Sequence, residues 1–103
     1  MDGTKITFTS ERDAFDEIYT MNVDGTEERQ LTDNNSSDSW PSWSPDGDRI
    51  AFASDRNGDY EIFVMDADGA NVRQLTNSDS VWSDGGPAWS PDGQHIVFRR
   101  SWS

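Results

Sequence analysis

The stretch Trp43-Ser44-Pro45-Asp46-Gly47 returns unchanged as Trp89-Ser90-Pro91-Asp92-Gly93. After its first copy the chain runs through Ile50-Ala51-Phe52, Glu61-Ile62-Phe63-Val64-Met65-Asp66, Asp68-Gly69 and Arg73-Gln74-Leu75-Thr76. The same order stands 44 residues earlier as Ile6-Thr7-Phe8, Glu17-Ile18-Tyr19-Thr20-Met21, Asp24-Gly25 and Arg29-Gln30-Leu31-Thr32. After the second copy it restarts as Ile96-Val97-Phe98.

A repeat of this length made of short strands and tight turns predicts the blade of a β-propeller, four antiparallel strands counted from the centre outward. Pro41–Ser44 and Pro87–Ser90 read as first strands. The Pro-Asp-Gly that follows each is a turn: proline presets φ, aspartate bonds the local backbone and glycine accepts positive φ. Ile6–Phe8, Ile50–Ala53 and Ile96–Phe98 alternate apolar residues at period 2 and read as second strands. Glu17–Met21 and Glu61–Met65 are third strands, closed by Asp-Gly hairpins at Asn22-Val23-Asp24-Gly25 and Asp66-Ala67-Asp68-Gly69. Arg29–Thr32 and Val72–Thr76 are fourth strands, polar as outer edges should be. No helix is signalled. The expected division is an incomplete first blade over 1–40 with strands two to four, a complete blade over 41–86, and two strands of a third over 87–103.

Pro-x-Trp-Ser-Pro-Asp-Gly, then Ile-Ala-Phe-x-Ser-Asp-Arg, Glu-Ile-Phe-Val-Met-Asp-Ala-Asp-Gly and Arg-Gln-Leu-Thr together resemble the TolB-type propeller repeat, a relative of WD-repeat blades. The likeness covers Thr4 to Phe98. The first repeat departs from it at Ala14-Phe15, where the central one has Gly58-Asp59. The resemblance implies a propeller, often of six blades and commonly found outside the cytoplasm, that acts as a rigid binding platform. Some such propellers are accessory domains of peptidases.

The composition bounds the function. The chain has 103 residues, 20 Asp and Glu against 8 Lys and Arg, and a net charge of −12. Nucleic acid is excluded as a partner because phosphate neutralisation needs clustered cations, and an anionic membrane surface is excluded on the same ground. With no cysteine there is neither a disulfide framework nor a thiolate metal site. No apolar run reaches the ~18 residues of a membrane span. Mean hydropathy is low at −0.88, but five Trp, five Phe and two Tyr at repeating positions supply surface to bury. The N-terminus has no signal-peptide core, and Met1 directly precedes a blade strand, as in a piece or minimal version of something longer.

Two blades cannot cover their own faces, since repeat architectures need several units for a continuous core. The expected remedy is self-association into a closed ring. Three copies give six blades and are favoured; four give eight. Pro87–Ser90 of a neighbouring copy would supply the first strand that the N-terminal blade lacks. Ile96–Phe98 then duplicates Ile6–Phe8, so one of them is expected to be displaced and its terminus disordered. The alternative is a fragment or accessory propeller of a larger extracytoplasmic protein or hydrolase.

Loops Asp33–Trp40, Asn77–Gly86, Ser10–Asp16 and Ser54–Tyr60 share one face. They vary between repeats and carry aromatic residues, the usual place for binding on a rigid frame. The candidate residues are Trp40, Trp82, Phe15, Tyr60, Arg12, Arg56, Asp38 and Asp84, and the expected partner is a protein or peptide. Trp40 and Trp82 also suit wedges between blades, and Arg12 and Arg56 suit local ion pairs with the flanking acids Glu11, Asp13, Asp55 and Asp59. Asp55, Asn57, Asp59 and Glu61 space oxygens like the start of a Ca2+ loop. However, position 66 is Asp rather than the closing Glu, and the set is broken in the first repeat. His95 is the sole histidine. With no second histidine, cysteine or nucleophile elbow, no catalytic triad can be assembled, and no carboxylate pair stands out for glycoside hydrolysis. The reading is non-enzymatic, with no cofactor expected; a third option is a carbohydrate or Ca2+ binder, with Asp55, Asn57, Asp59 and Glu61 as the Ca2+ candidates.

Overall fold

The alternating segments do form strands, and the turn residues set where they end. The computed structural model describes residues 5–11, 15–33, 36–56, 58–77 and 82–102. It places β1 (Lys5–Ser10), β2 (Glu17–Asn22) and β3 (Arg29–Gln30) in one sheet, and β4 (Asp38–Trp43), β5 (Arg49–Ser54), β6 (Glu61–Asp66) and β7 (Arg73–Gln74) in a second. β8 (Trp82–Trp89) and β9 (Ile96–Trp102) form a third. All neighbouring strands are antiparallel. The described residues contain no helix, so none is long and apolar enough to cross a membrane.

Alternation decides what each strand buries. On β5, Ile50 and Phe52 turn toward the first sheet and join Ile18, Phe63 and Met65 in the core, with Leu31 and Trp43 packed against it. Ala51 and Ala53 on the opposite side of β5 are also fully buried. The central sheet is thus covered on both faces, and each large apolar side chain it buries contributes about 1.5–3 kcal/mol. β1 and β9 have no such cover: Ile6 is 39% and Val97 68% exposed.

The first strands begin earlier than the sequence suggests, at Asp38 and Trp82 rather than at the prolines. Register shifts between Ser39 and Ser42 and between Gly85 and Ala88 explain this. Pro41 and Pro87 sit at these irregularities, where a residue without an N–H removes no ladder bond.

Neither terminal second strand is displaced. β1 pairs with β2 from Lys5↔Asn22 to Ser10↔Glu17, and β9 pairs with β8 from Trp82↔Trp102 to Trp89↔Ile96. The expected displacement does not occur in the single chain because the two strands have different partners there and do not compete.

Candidate functional site

The loop-bearing edge is built on one repeated backbone bond. The Asp38 N–H donates to the Asp16 carbonyl (2.7 Å), and the Asp84 N–H donates to the Tyr60 carbonyl (2.9 Å). Each first strand is thereby tied to the residue just before the third strand of the preceding sheet.

The side chains of Asp38 and Asp84 are fully buried. They are not the surface acids expected from the sequence. Asp38 accepts from Ser54 Oγ and from an Arg56 guanidinium nitrogen at 2.9 Å. Asp84 accepts from two Arg100 nitrogens, at 2.7 and 3.0 Å. The Arg100 hydrogen bond holds the Asp84 carboxyl below its ordinary value despite burial, and the side chains of Thr76 and Glu61 add to the effect. Arg56 does not pair with the flanking Asp55 or Asp59, as the sequence suggested; its acid lies 18 residues away. A buried carboxylate needs a charged, hydrogen-bonding partner, and arginine reaching along the strand meets that need. Arg56 also lies over the rings of Phe52 and Phe63.

The glutamates that begin the third strands have a role the sequence reading missed. Thr32 Oγ1 donates to Glu17 at 2.6 Å and accepts from the Ile18 N–H at 2.9 Å. Thr76 repeats this with Glu61 (2.7 Å) and the Ile62 N–H (2.8 Å). The signal was available, since both residues recur at the 44-residue spacing.

Trp40 and Tyr60 are brought together, with ring centroids 5.9 Å apart at 39°. Trp40 has φ 55°, a left-handed conformation that costs a bulky residue strain. The matching residue of the next repeat is Gly86 at φ 59°, where the same backbone carries no Cβ penalty. The Trp40 indole lies on Gly85, where an added Cβ would come within 2.2 Å of Cζ3. Its remaining surface is open, 55% exposed, and borders a cavity of about 280 Å3 lined also by Arg99 and Ser101. Trp40 is both a contact between sheets and an exposed aromatic surface. Phe15 is 39% exposed in the corresponding loop of the first sheet.

Arg12 and Asn57 lie outside the described residues, as does the side chain of Trp82. Of the Ca2+-type oxygens, Asp55 accepts from the Ser37 N–H and Glu61 is buried against Thr76. Among the described residues no three acidic or histidine side chains converge as metal ligands would.

The family model for the TolB beta propeller domain matches residues 1–102. The chain belongs to the TolB β-propeller family. A solved structure of putative TolB from Agrobacterium tumefaciens is 36% identical and superposes with a TM-score of 0.87 over 94% of this chain and 34% of its own. TolB from Acinetobacter baumannii is 27% identical, with a TM-score of 0.76 over 94% of this chain and 24% of its own. The chain thus spans about a third and about a quarter of the length of these two TolB structures and corresponds to part of a propeller. Hydrazine synthase from Kuenenia stuttgartiensis shares the fold at 23% identity and a TM-score of 0.70, over 86% of this chain and 14% of its own. Among curated proteins no match was found.

Proposed function

We propose that this TolB-type chain is a non-catalytic scaffold that associates with itself into a closed ring, six-bladed as a trimer, and offers its loop face to a protein or peptide. Trp40 carries the binding part of this reading. An aromatic residue held at positive φ persists only where its surroundings over-determine it, and such strain clusters at functional positions. Here the strained residue is also half exposed and packed at a tilt against Tyr60, the amphipathic kind of surface on which interface energy concentrates.

Light scattering after size exclusion tests the assembly. A discrete trimer or tetramer supports ring closure, and a folded monomer overturns it. A random-peptide display selection on the folded chain tests the binding face. Enriched peptides that no longer bind Trp40→Gly support the reading, whereas peptides indifferent to that substitution place binding elsewhere.

A second reading, that the chain functions as a segment of a larger propeller protein, is favoured by its covering only 34% and 24% of the TolB structures. In that case it stays monomeric alone, and the loop face operates only beside the remaining blades.

A further inference from the structure

The indole N–H of Trp43 is buried with no hydrogen-bond partner among the described residues. Buried donors in native folds are almost always satisfied, so this one marks a missing acceptor. The repeat identifies it. Trp89 occupies the same position one blade later, and its Nε1 donates to the Ser42 carbonyl at 2.9 Å. Ser42 lies on the first strand of the preceding sheet. For Trp43 the preceding sheet is β1-β2-β3, which has no first strand among the described residues. What is missing is therefore a strand beside β1 with a carbonyl at the Ser42 position.

The chain contains such a strand. β8 corresponds to β4, with Ala88 at the Ser42 position and Asp84 at the Asp38 position. β1 corresponds to β5, with Ser10 at the Ser54 position. In the complete sheet Asp38 lies opposite Ser54 and accepts from it and from Arg56. The N-terminal repeat has the same Ser-x-Arg spacing in Ser10 and Arg12.

We propose that β8 of a second copy is the first strand of the N-terminal sheet, paired with β1 in place of that copy's own β9. This rests on the self-association put forward above and names its contact. The Ala88 carbonyl of the second copy then accepts from Trp43, and its Asp84 comes opposite Ser10 as Asp38 lies opposite Ser54. β9 holds the position in the lone chain through Arg100, so it acts as an internal competitor of assembly. Every sheet of the exchanged form is four-stranded, two per copy, and only the short edges of a propeller blade remain.

Cysteine pairs read the exchange directly, because the chain has no cysteine of its own. The β4–β5 register puts Thr7 opposite Ala88 of the second copy, whereas within one chain Ala88 faces Val97. Antiparallel neighbours lie about 4.5–5.5 Å apart at Cα, within disulfide reach. Thr7→Cys with Ala88→Cys is oxidised in the full chain, in the chain lacking residues 96–103, and in the full chain carrying Arg100→Ser. The proposal expects intermolecular disulfides with loss of monomer, most in the shortened chain and more with Arg100→Ser than without it. Ala88→Cys with Val97→Cys should close within one full chain and hold it monomeric. A shortened chain that keeps its β-type circular dichroism yet forms no Thr7–Ala88 link overturns the exchange. If the shortened chain does not fold, the Arg100→Ser chain decides by the same criterion. Self-association without the Thr7–Ala88 link overturns the exchange and leaves the ring reading standing. The link in an open-ended polymer supports the exchange and overturns the closed ring.

Discussion

The indole of Trp40 stands on Gly85, close enough that a Cβ there would lie 2.2 Å from Cζ3. The contact joins the first strands of adjacent sheets, and glycine makes it possible. Gly85→Ala should force the half-exposed indole off its seat. Overpacking of this kind costs about 1–3 kcal/mol, and the lower end is expected because Trp40 can swing toward solvent. Thermal melts and tryptophan emission report it as a lower midpoint with a red shift.

Trp40→Gly acts in the opposite sense on the backbone. It removes a left-handed strain of about 1–2 kcal/mol and loses the packing of a side chain that is 55% exposed. The two effects nearly offset, so chemical denaturation should show stability within about 1 kcal/mol of the parent. Peptide binding to the loop face, measured on the same sample, should be lost.

Thr32→Val deletes the hydroxyl between the Ile18 N–H and Glu17, leaving both without that partner inside the protein. The unsatisfied buried Ile18 N–H costs about 1–3 kcal/mol, so a loss of about that size is expected. Thr32→Ser keeps the hydroxyl and should recover most of it. Urea unfolding of the three chains side by side makes the comparison.

Strand order and turns were legible because they are local: period-2 apolar residues and Asp-Gly pairs announce themselves within a few positions. The Glu17–Thr32 bond was legible in principle, since its members recur with the repeat. Two features were not. Arg56 sits among acids in the sequence, and only the β4–β5 register shows that its carboxylate is Asp38. Nothing adjacent to Trp40 marks it for positive φ; the clue is Gly86 at the matching position, and its meaning depends on the bulge that puts both residues in the same conformation.

Acid should weaken the fold. The Asp84 carboxyl is held below its ordinary value by Arg100, and those of Asp24, Asp46 and Asp92 by hydrogen bonds from Thr26, Ser44 and Ser90. Groups lowered on folding contribute their full stabilisation above the unfolded carboxylate value, about pH 4, and lose it as pH falls through the folded value. Urea midpoints should therefore be flat from pH 7 to about 5 and drop below about 4. Asp84→Asn should lower the midpoint at pH 7 and make the acid drop shallower.

Calcium should have no effect. Asp55 and Glu61 already serve Ser37 and Thr76, and a hard cation needs six or more oxygens. Calorimetric titration should show no binding heat, and the melting temperature should not move with Ca2+.

The buried acid keeps its place from one repeat to the next while its arginine does not: Asp38 draws on Arg56, and Asp84 on the residue that stands where Ser54 would be. Arg56 stands two residues past the end of β5 and Arg100 lies within β9, yet each delivers a guanidinium to the equivalent carboxylate. The pair is thus a constraint on geometry rather than on a column of residues. A repeat can drift through an intermediate bearing both arginines without ever stranding the charge, and comparing sequences position by position would record a lost contact where the protein has kept it.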